Sequence, residues 1–328
     1  VRLSARIERW PVAGAFTIAR GAKTHVDVVV AEVSADGLTG RGEGTPIYYH
    51  GETAETVLAA VLAQAGAIAD GLDRAGLQDR LPRGAARNAL DCALWDLDAA
   101  RAGQPVWRLA GLAAPQPRVT AFTISLGDPA RMEADARGAA HLPLLKLKLA
   151  GEGDLARVAA VRRGAPAARL IVDANEAWTG RDVAAEAAQL VPFGVELIEQ
   201  PVRRGEDARL DGVASPIPLA ADESLQDRAD LARCAGRYQA VNIKLDKCGG
   251  LTEALALADA ARGLGLDLMV GCMLATSLGI APAFLLGGQA RWIDLDGALL
   301  LAEDRPGAMA AADGVLAPPG LALWGGAA

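Results

Sequence analysis

From residue 119 onward, short aliphatic or β-branched runs alternate with glycine-containing polar loops and with stretches whose apolar residues recur at helical spacing. The runs occupy 119–124, 143–149, 169–173, 195–199, 217–221, 240–244, 267–271 and 291–295, and they recur every 22–27 residues. One strand plus one crossover helix fills such an interval. Helical spacing covers 156–163, 181–190 and 251–264, the last directly after Gly249-Gly250. Strand and helix therefore alternate, which predicts an α/β fold with a parallel TIM-like barrel. After the eighth run the pattern stops, because the segment 304–326 holds Pro306, Pro318, Pro319 and several glycines. No regular helix is expected there. The first 115 residues read differently, with strands at 2–10 and 26–33, an Asp36-Gly37 hairpin turn, and helices over 52–70 and 84–102. An α+β capping domain over 1–115, completed by the tail 304–328, is thus expected in front of a barrel over 116–303.

Charged residues close these apolar runs where a parallel barrel opens its active site, at the carboxyl ends of the strands. In Leu144-Leu145-Lys146-Leu147-Lys148-Leu149, strand alternation puts both lysines on one face and the intervening leucines on the other. The leucine face suits the surrounding helices, so the lysines face the barrel interior. The next three runs end in acids, at Asp173, Glu199 and Asp222. Three carboxylates brought together repel one another unless a cation or lysines compensate. A hard dication meets that need, and all-oxygen ligands favour Mg2+, with Mn2+ as a substitute. Separate salt bridges to barrel lysines are the alternative. The sixth run ends in Lys244, four strands after Lys148 and so across an eight-stranded ring. Two lysines flanking a metal site suit removal of a proton from one face of a carbon and its return on the other. For that, burial, the cation and Lys146 are expected to depress the lysine pKa values.

Composition narrows the partners. With 52% hydrophobic and 22% charged residues the chain can bury a large core. Its net charge of -7 offers no basic stripe for nucleic acid, and no apolar stretch reaches the roughly 20 residues a bilayer needs. A small-molecule substrate is expected, and homo-oligomerisation is left open. Cys92, Cys234, Cys248 and Cys272 show no paired spacing and read as reduced thiols of a cytoplasmic protein. His25, His50 and His141 fall at no strand end of the barrel, so a histidine base is not expected.

Taken in register, Lys146-Leu-Lys148, Asp173-Ala-Asn175, Glu199-Gln-Pro201, Ala221-Asp222-Glu223-Ser224 and Asn242-Ile-Lys244-Leu-Asp246-Lys247-Cys-Gly-Gly250 resemble the muconate lactonizing enzyme subgroup of the enolase superfamily. The resemblance implies a modified (β/α)7β barrel with a cap. It also implies magnesium on Asp173, Glu199 and Asp222 assisting formation of an enediolate, with Lys148 and Lys244 as the acid/base pair. Lys146 would tune Lys148, Asn175 and Glu223 would support the ligands, and Thr123 would stand on the substrate side. Asp294-Leu-Asp296 is similar in position to the pair that binds the free ammonium in dipeptide epimerases. Arg20, in a cap loop beside 45–51, resembles the cation that pairs with a substrate glutamate, which points to L-Ala-D/L-Glu. An N-acylamino acid racemase or o-succinylbenzoate synthase of the same subgroup would share the metal and lysines without the ammonium pocket. A non-catalytic metal- or anion-binding barrel would lack a ligand or a lysine, and none is missing.

Overall fold

The computed structural model describes residues 1–18 and 21–326, with the side chains of 15–18, 21 and 22 excepted. Arg20 lies outside the described residues. Strands β1 (Arg2–Ile18), β2 (Gly21–Ala35) and β3 (Leu38–Gly44) form an antiparallel sheet in that order. Asp36 and Gly37 both adopt positive φ, 55° and 79°, as the hairpin between β2 and β3 requires. The helix Ala85–Ala102 packs on this sheet, and Ala89, Leu90, Ala93 and Leu97 join Val29, Ala31 and Val33 in one apolar cluster. The single helix expected over 52–70 is interrupted. Ala54–Leu62, capped by Thr53, gives way to the short helix Ala65–Ala69. Val57, Val61, Gln64 and Ile68 stay buried across the break, so the hydrophobic spacing alone cannot reveal it.

Eight parallel strands follow: β5 (Phe122–Ile124), β6 (Leu144–Lys148), β7 (Arg169–Asp173), β8 (Val195–Glu199), β9 (Leu219–Ala221), β10 (Ala240–Ile243), β11 (Asp267–Gly271) and β12 (Trp292–Asp294). The strand expected over 119–124 is in fact two. Arg118–Val119 forms β4, which pairs antiparallel with β14 (Val315–Leu316), itself paired with β13 (Ala311–Ala312). The chain leaves that small sheet at Thr120, whose backbone N–H donates to Gly314 O, and joins the barrel at Ala121. The seam between β5 and β12 is closed by Ala121 N–H to Ile293 O at 2.7 Å, Leu295 N–H to Thr120 Oγ1 at 2.9 Å and Thr123 N–H to an Asp296 carboxylate oxygen at 2.7 Å.

Alternation sorts the side chains into layers. Ala121, Leu144, Ile171, Leu197, Ala220, Ala240, Met269 and Trp292 form a buried apolar plug inside the barrel, one residue from each strand position. Two residues further along stand Thr123, Lys146, Asp173, Glu199, Asp222, Asn242, Gly271 and Asp294, so the floor of the active-site end rests directly on that plug. The outward residues Leu145, Leu147, Leu170, Val172, Val241 and Ile243 pack under the helices. Two crossovers are shorter than a regular helix: β8 to β9 holds the 3-10 turn Asp207–Leu210, and β9 to β10 the successive turns Arg228–Asp230 and Leu231–Cys234. After β12 no regular helix forms among the described residues.

Cap and barrel interlock through residues the motifs already single out. Arg87 donates to the carbonyls of Cys248 at 2.5 Å and Gly249 at 3.1 Å, and Asp91 accepts from Thr252 N–H at 2.9 Å, capping the helix Leu251–Gly263. Gly250 has φ 117°, and a Cβ there would lie 2.5 Å from the Asp91 side chain. The tail returns to the cap, where Trp324 Nε1 donates to Cys92 O and Gly325 N–H to Asp96. No helix of the described residues is long and apolar enough to cross a membrane.

Candidate active site

Three carboxylates meet at the carboxyl ends of β7, β8 and β9. Asp173, Glu199 and Asp222 each offer an oxygen within 4.8 Å of the others, and all three are buried. Each is also held by a lysine or amide from the same ring. Lys148 Nζ donates to Asp173 at 2.7 Å, Lys244 Nζ to Asp222 at 2.7 Å, and Asn242 Nδ2 to Glu199 Oε1 at 2.7 Å. Lys146 sits between them, 2.5 Å from Glu199 Oε2, 3.5 Å from Asp173 and 2.7 Å from Asp294. Although that close to an ammonium, Glu199 Oε2 lies outside hydrogen-bonding geometry. Burial, and then the charge of Asp173, push the Glu199 carboxyl up to about 7. A buried, mutually repelling set of oxygens with one poorly satisfied atom fits a hard divalent cation.

Burial acts on Lys244 and Lys146 in the lowering direction, and the carboxylates around them act against it. Burial does act to lower Lys244, but Asp222 and Glu199 outweigh it, and Lys244 stands well above the ordinary lysine value. Lys146 is likewise opposed by burial and raised overall by Asp294, Glu199 and Asp173. The room for Lys244 comes from Gly271 on the neighbouring strand, where a Cβ would lie 2.6 Å from Asn242 Oδ1 and 3.0 Å from Lys244 Cε.

A cavity of about 230 Å³ opens above this layer, bringing together Lys146, Lys148, Asp222, Lys244, Thr123, Asn175, Glu223, Asp294 and Asp296. Asp173 and Glu199 lie beneath its floor, 0% and 1% exposed. Asp294 and Asp296 share a wall of the cavity, and both have partners within the chain: Lys146 for the first and Thr123 N–H for the second. Asp294 Oδ1 remains without a hydrogen-bond partner. Burial, and then Asp294, raise Asp296 to about 7. Asn175, with φ 43°, donates its backbone N–H to Asp173 at 2.9 Å.

Several contributors escape the sequence reading. Lys247, in the turn after Lys244, is 1% exposed and reaches back to donate to Asp222 Oδ1 and Asp222 O, both at 2.6 Å. Gln200, with φ 38°, accepts from the N–H groups of Asp222 and Ser224 through one side-chain oxygen and so fixes the turn after β9. Asn242 was accessible by alternation, two residues before Lys244. From the cap, Tyr48, Tyr49 and Lys23 complete the cavity wall, with Lys23 Nζ 5.4 Å from the Tyr48 ring centroid. Lys23 is lowered by burial.

Residues 2–111 match the N-terminal domain of mandelate racemase and muconate lactonizing enzyme, and residues 129–321 match the enolase C-terminal domain-like family. An L-Ala-D/L-Glu epimerase of Escherichia coli (strain K12) is 46% identical over 299 residues, 90% of this chain and 93% of the relative. An N-acetyl-D-glutamate racemase of Pseudoalteromonas sp. is 47% identical over 251 residues, covering 76% of this chain and 79% of the relative. Among solved structures, an enolase family member from Agrobacterium tumefaciens with homology to dipeptide epimerases, bound to sodium and L-Ala-L-Glu, aligns with a TM-score of 0.96 at 46% identity over 99% of both chains. A dipeptide epimerase from Enterococcus faecalis V583 complexed with Mg and L-Leu-L-Tyr aligns at 0.90 and 30% identity, covering 97% of this chain and 96% of that one. Matched in both its cap and its barrel, the chain belongs to the enolase superfamily, among the proteins built like mandelate racemase and muconate lactonizing enzyme.

Proposed function

We propose that this chain is a dipeptide epimerase, an isomerase that inverts the α-carbon of the second residue, with L-Ala-D/L-Glu as its first substrate. One observation carries the reading: a single cavity holds Lys148 and Lys244, from strands four apart in the ring, above a three-carboxylate group, and its wall carries Asp294 and Asp296. The dipeptide epimerase names and bound dipeptides of the relatives support it. We assign residues 1–115 with the tail 304–328 to the cap and 116–303 to the barrel.

Asp173, Glu199 and Asp222 would hold Mg2+, with Mn2+ as a substitute, and the cation when bound supplies positive charge for the substrate carboxylate as the α-proton leaves. One lysine takes that proton while the C–H electron pair spreads into the carboxylate. The other lysine returns a proton to the opposite face, so the net composition does not change. The base must be uncharged to act, and the Asp222 oxygens that hold Lys244 charged are the ones offered to the cation. Sharing them with a bound cation would loosen the hold on the lysine proton. Lys146 offsets the charge of Glu199 and Asp294, while Asn175 and Glu223 steady the rim. The substrate ammonium would sit at Asp294 Oδ1 and Asp296 beside Thr123, donating charge-assisted hydrogen bonds to the two carboxylates. A side-chain carboxylate on the second residue would face the cap, where Lys23 supplies a cation, and Arg20 is assigned to the same role.

A second reading has its own support. Lys146 and Thr123 already satisfy part of the Asp294-Asp296 pair, and one relative acts on N-acetyl-D-glutamate, which has no free ammonium. Incubation with L-Ala-L-Glu and its N-acetyl form in deuterated water separates the two readings. The free dipeptide should gain one deuterium at the second α-carbon and equilibrate with L-Ala-D-Glu, and the acetylated form should react at least tenfold more slowly. Equal turnover of both forms would favour the N-acylamino acid racemase, and no exchange in any dipeptide would end the epimerase reading.

A further inference from the structure

The single helical turn Leu245–Cys248 follows Lys244 directly, and its two central side chains point to different parts of the molecule. Lys247 reaches inward to Asp222 and to Asn242 O, fixing the carboxylate that pairs with Lys244. Asp246 turns toward the cap, where one of its oxygens accepts from Thr45 N–H at 2.9 Å and from Asn88 Nδ2 at 2.8 Å. All three groups are buried, with Asp246 7%, Thr45 3% and Asn88 2% exposed. Thr45 begins the cap loop that lines the cavity with Pro46, Tyr48 and Tyr49, and its hydroxyl donates to Leu274 O at 3.0 Å on the loop after β11. The lining loop is therefore pinned at its root to two barrel loops, and of these two pins the Asp246 one lies on the turn that directly follows Lys244.

We infer that Asp246 is a positioning residue that sets where the cap loop stands relative to Lys244, and through that loop sets selectivity for the second residue of the substrate. Asp246 does not line the cavity, so it acts on substrate only through Thr45 and the tyrosines that follow. A buried acceptor serving two donors is costly to lose, because the Thr45 N–H is then stranded and Asn88 Nδ2 is left with Glu43 O alone. Burial pushes the Asp246 carboxyl up to about 7, so the neutral amide of Asn is a modest change there, whereas Ala removes the acceptor altogether.

The inference rests on the dipeptide epimerase reading for its substrate terms, and the test carries one readout that does not. In Asp246→Ala, KM for L-Ala-L-Glu should rise about tenfold and its preference over a dipeptide with an apolar second residue should shrink several-fold, with kcat and Mg2+ affinity changing much less. Asp246→Asn should restore most of both. Independently of substrate, the Thr45 amide should lose hydrogen-exchange protection in Asp246→Ala while amides of the barrel strands keep theirs. Asn88→Ala removes one of the two donors from the cap side and should move selectivity in the same direction, which keeps the test available if Asp246→Ala does not fold. Unchanged selectivity and unchanged Thr45 protection in the folded variants overturn the inference. If the wild type turns over no dipeptide, the functional reading fails on its own, and Thr45 protection still decides the positioning role.

Discussion

Each lysine at the site is defined by the acid it faces. Lys148 faces Asp173 and Lys244 faces Asp222, so removing either lysine takes one partner from a buried carboxylate that Lys146 or Lys247 still faces, and leaves the other lysine in place. Lys148→Ala and Lys244→Ala should each slow epimerisation by about 10²–10⁴-fold, the usual weight of a positioned acid or base. Each variant should still exchange the α-proton of one stereoisomer, and the two variants should choose opposite stereoisomers. Following exchange of L-Ala-L-Glu and L-Ala-D-Glu separately in deuterated water checks this, and exchange of both isomers by both variants would refute a two-base mechanism. The lysines were legible because alternation along a strand puts Lys146, Lys148 and Lys244 on the inner face without further information. Lys247 was not, since its Nζ returns under the strand end from a turn whose path the sequence does not spell out. The partners of Asp294 and Asp296 were hidden for another reason: they lie on β5 and β6, and only closure of the ring brings β5 beside β12.

Among the elements, the helix Leu251–Gly263 depends on a side chain from outside the barrel. Its first turn is capped by Asp91 of the cap helix, and Gly250 must combine φ 117° with contact against that same aspartate. Gly250→Ala forces both a strained backbone and a displaced cap. It should cost about 2–4 kcal/mol, or roughly 3–6 °C in Tm for a chain of this size, and Asp91→Ala combined with it should cost less than the sum of the two single changes. Thermal unfolding of the four proteins measures this, and strict additivity would show that Asp91 is not what Gly250 makes room for. The Gly249-Gly250 pair was visible in the sequence as a helix start, but its need for glycine was not, because the crowding comes from a residue more than 150 positions earlier. Similarly, 119–124 reads as one strand by composition. The turn from β4 to β5 is fixed by the tail, through the Thr120 to Gly314 bond.

For the whole molecule, the joints between parts carry titratable groups displaced in one direction. Burial raises Asp91 to about 6 and Asp246 and Asp296 to about 7, at two contacts between cap and barrel and at the seam of the ring. Each therefore binds its proton more tightly folded than unfolded. Their contribution is complete below the unfolded value of 3.8 and is lost as pH rises through about 6–7. Half-exposed His50, lowered by burial, works in the opposite sense but is a single group. Tm should consequently fall between pH 5 and pH 7 in calorimetry at fixed salt, and a rise across that window would contradict the assignment. The returning tail has a consequence for synthesis. The cap helix carrying Cys92 and Asp96 leaves the ribosome long before Trp324 and Gly325, which bond to it. At ~5–20 residues per second, the more than 200 intervening residues take roughly 10–40 s to make. During that interval a nascent chain presents an unfinished cap face beside a growing barrel, a surface on which chaperones could act and from which a chain truncated before Trp324 could not escape.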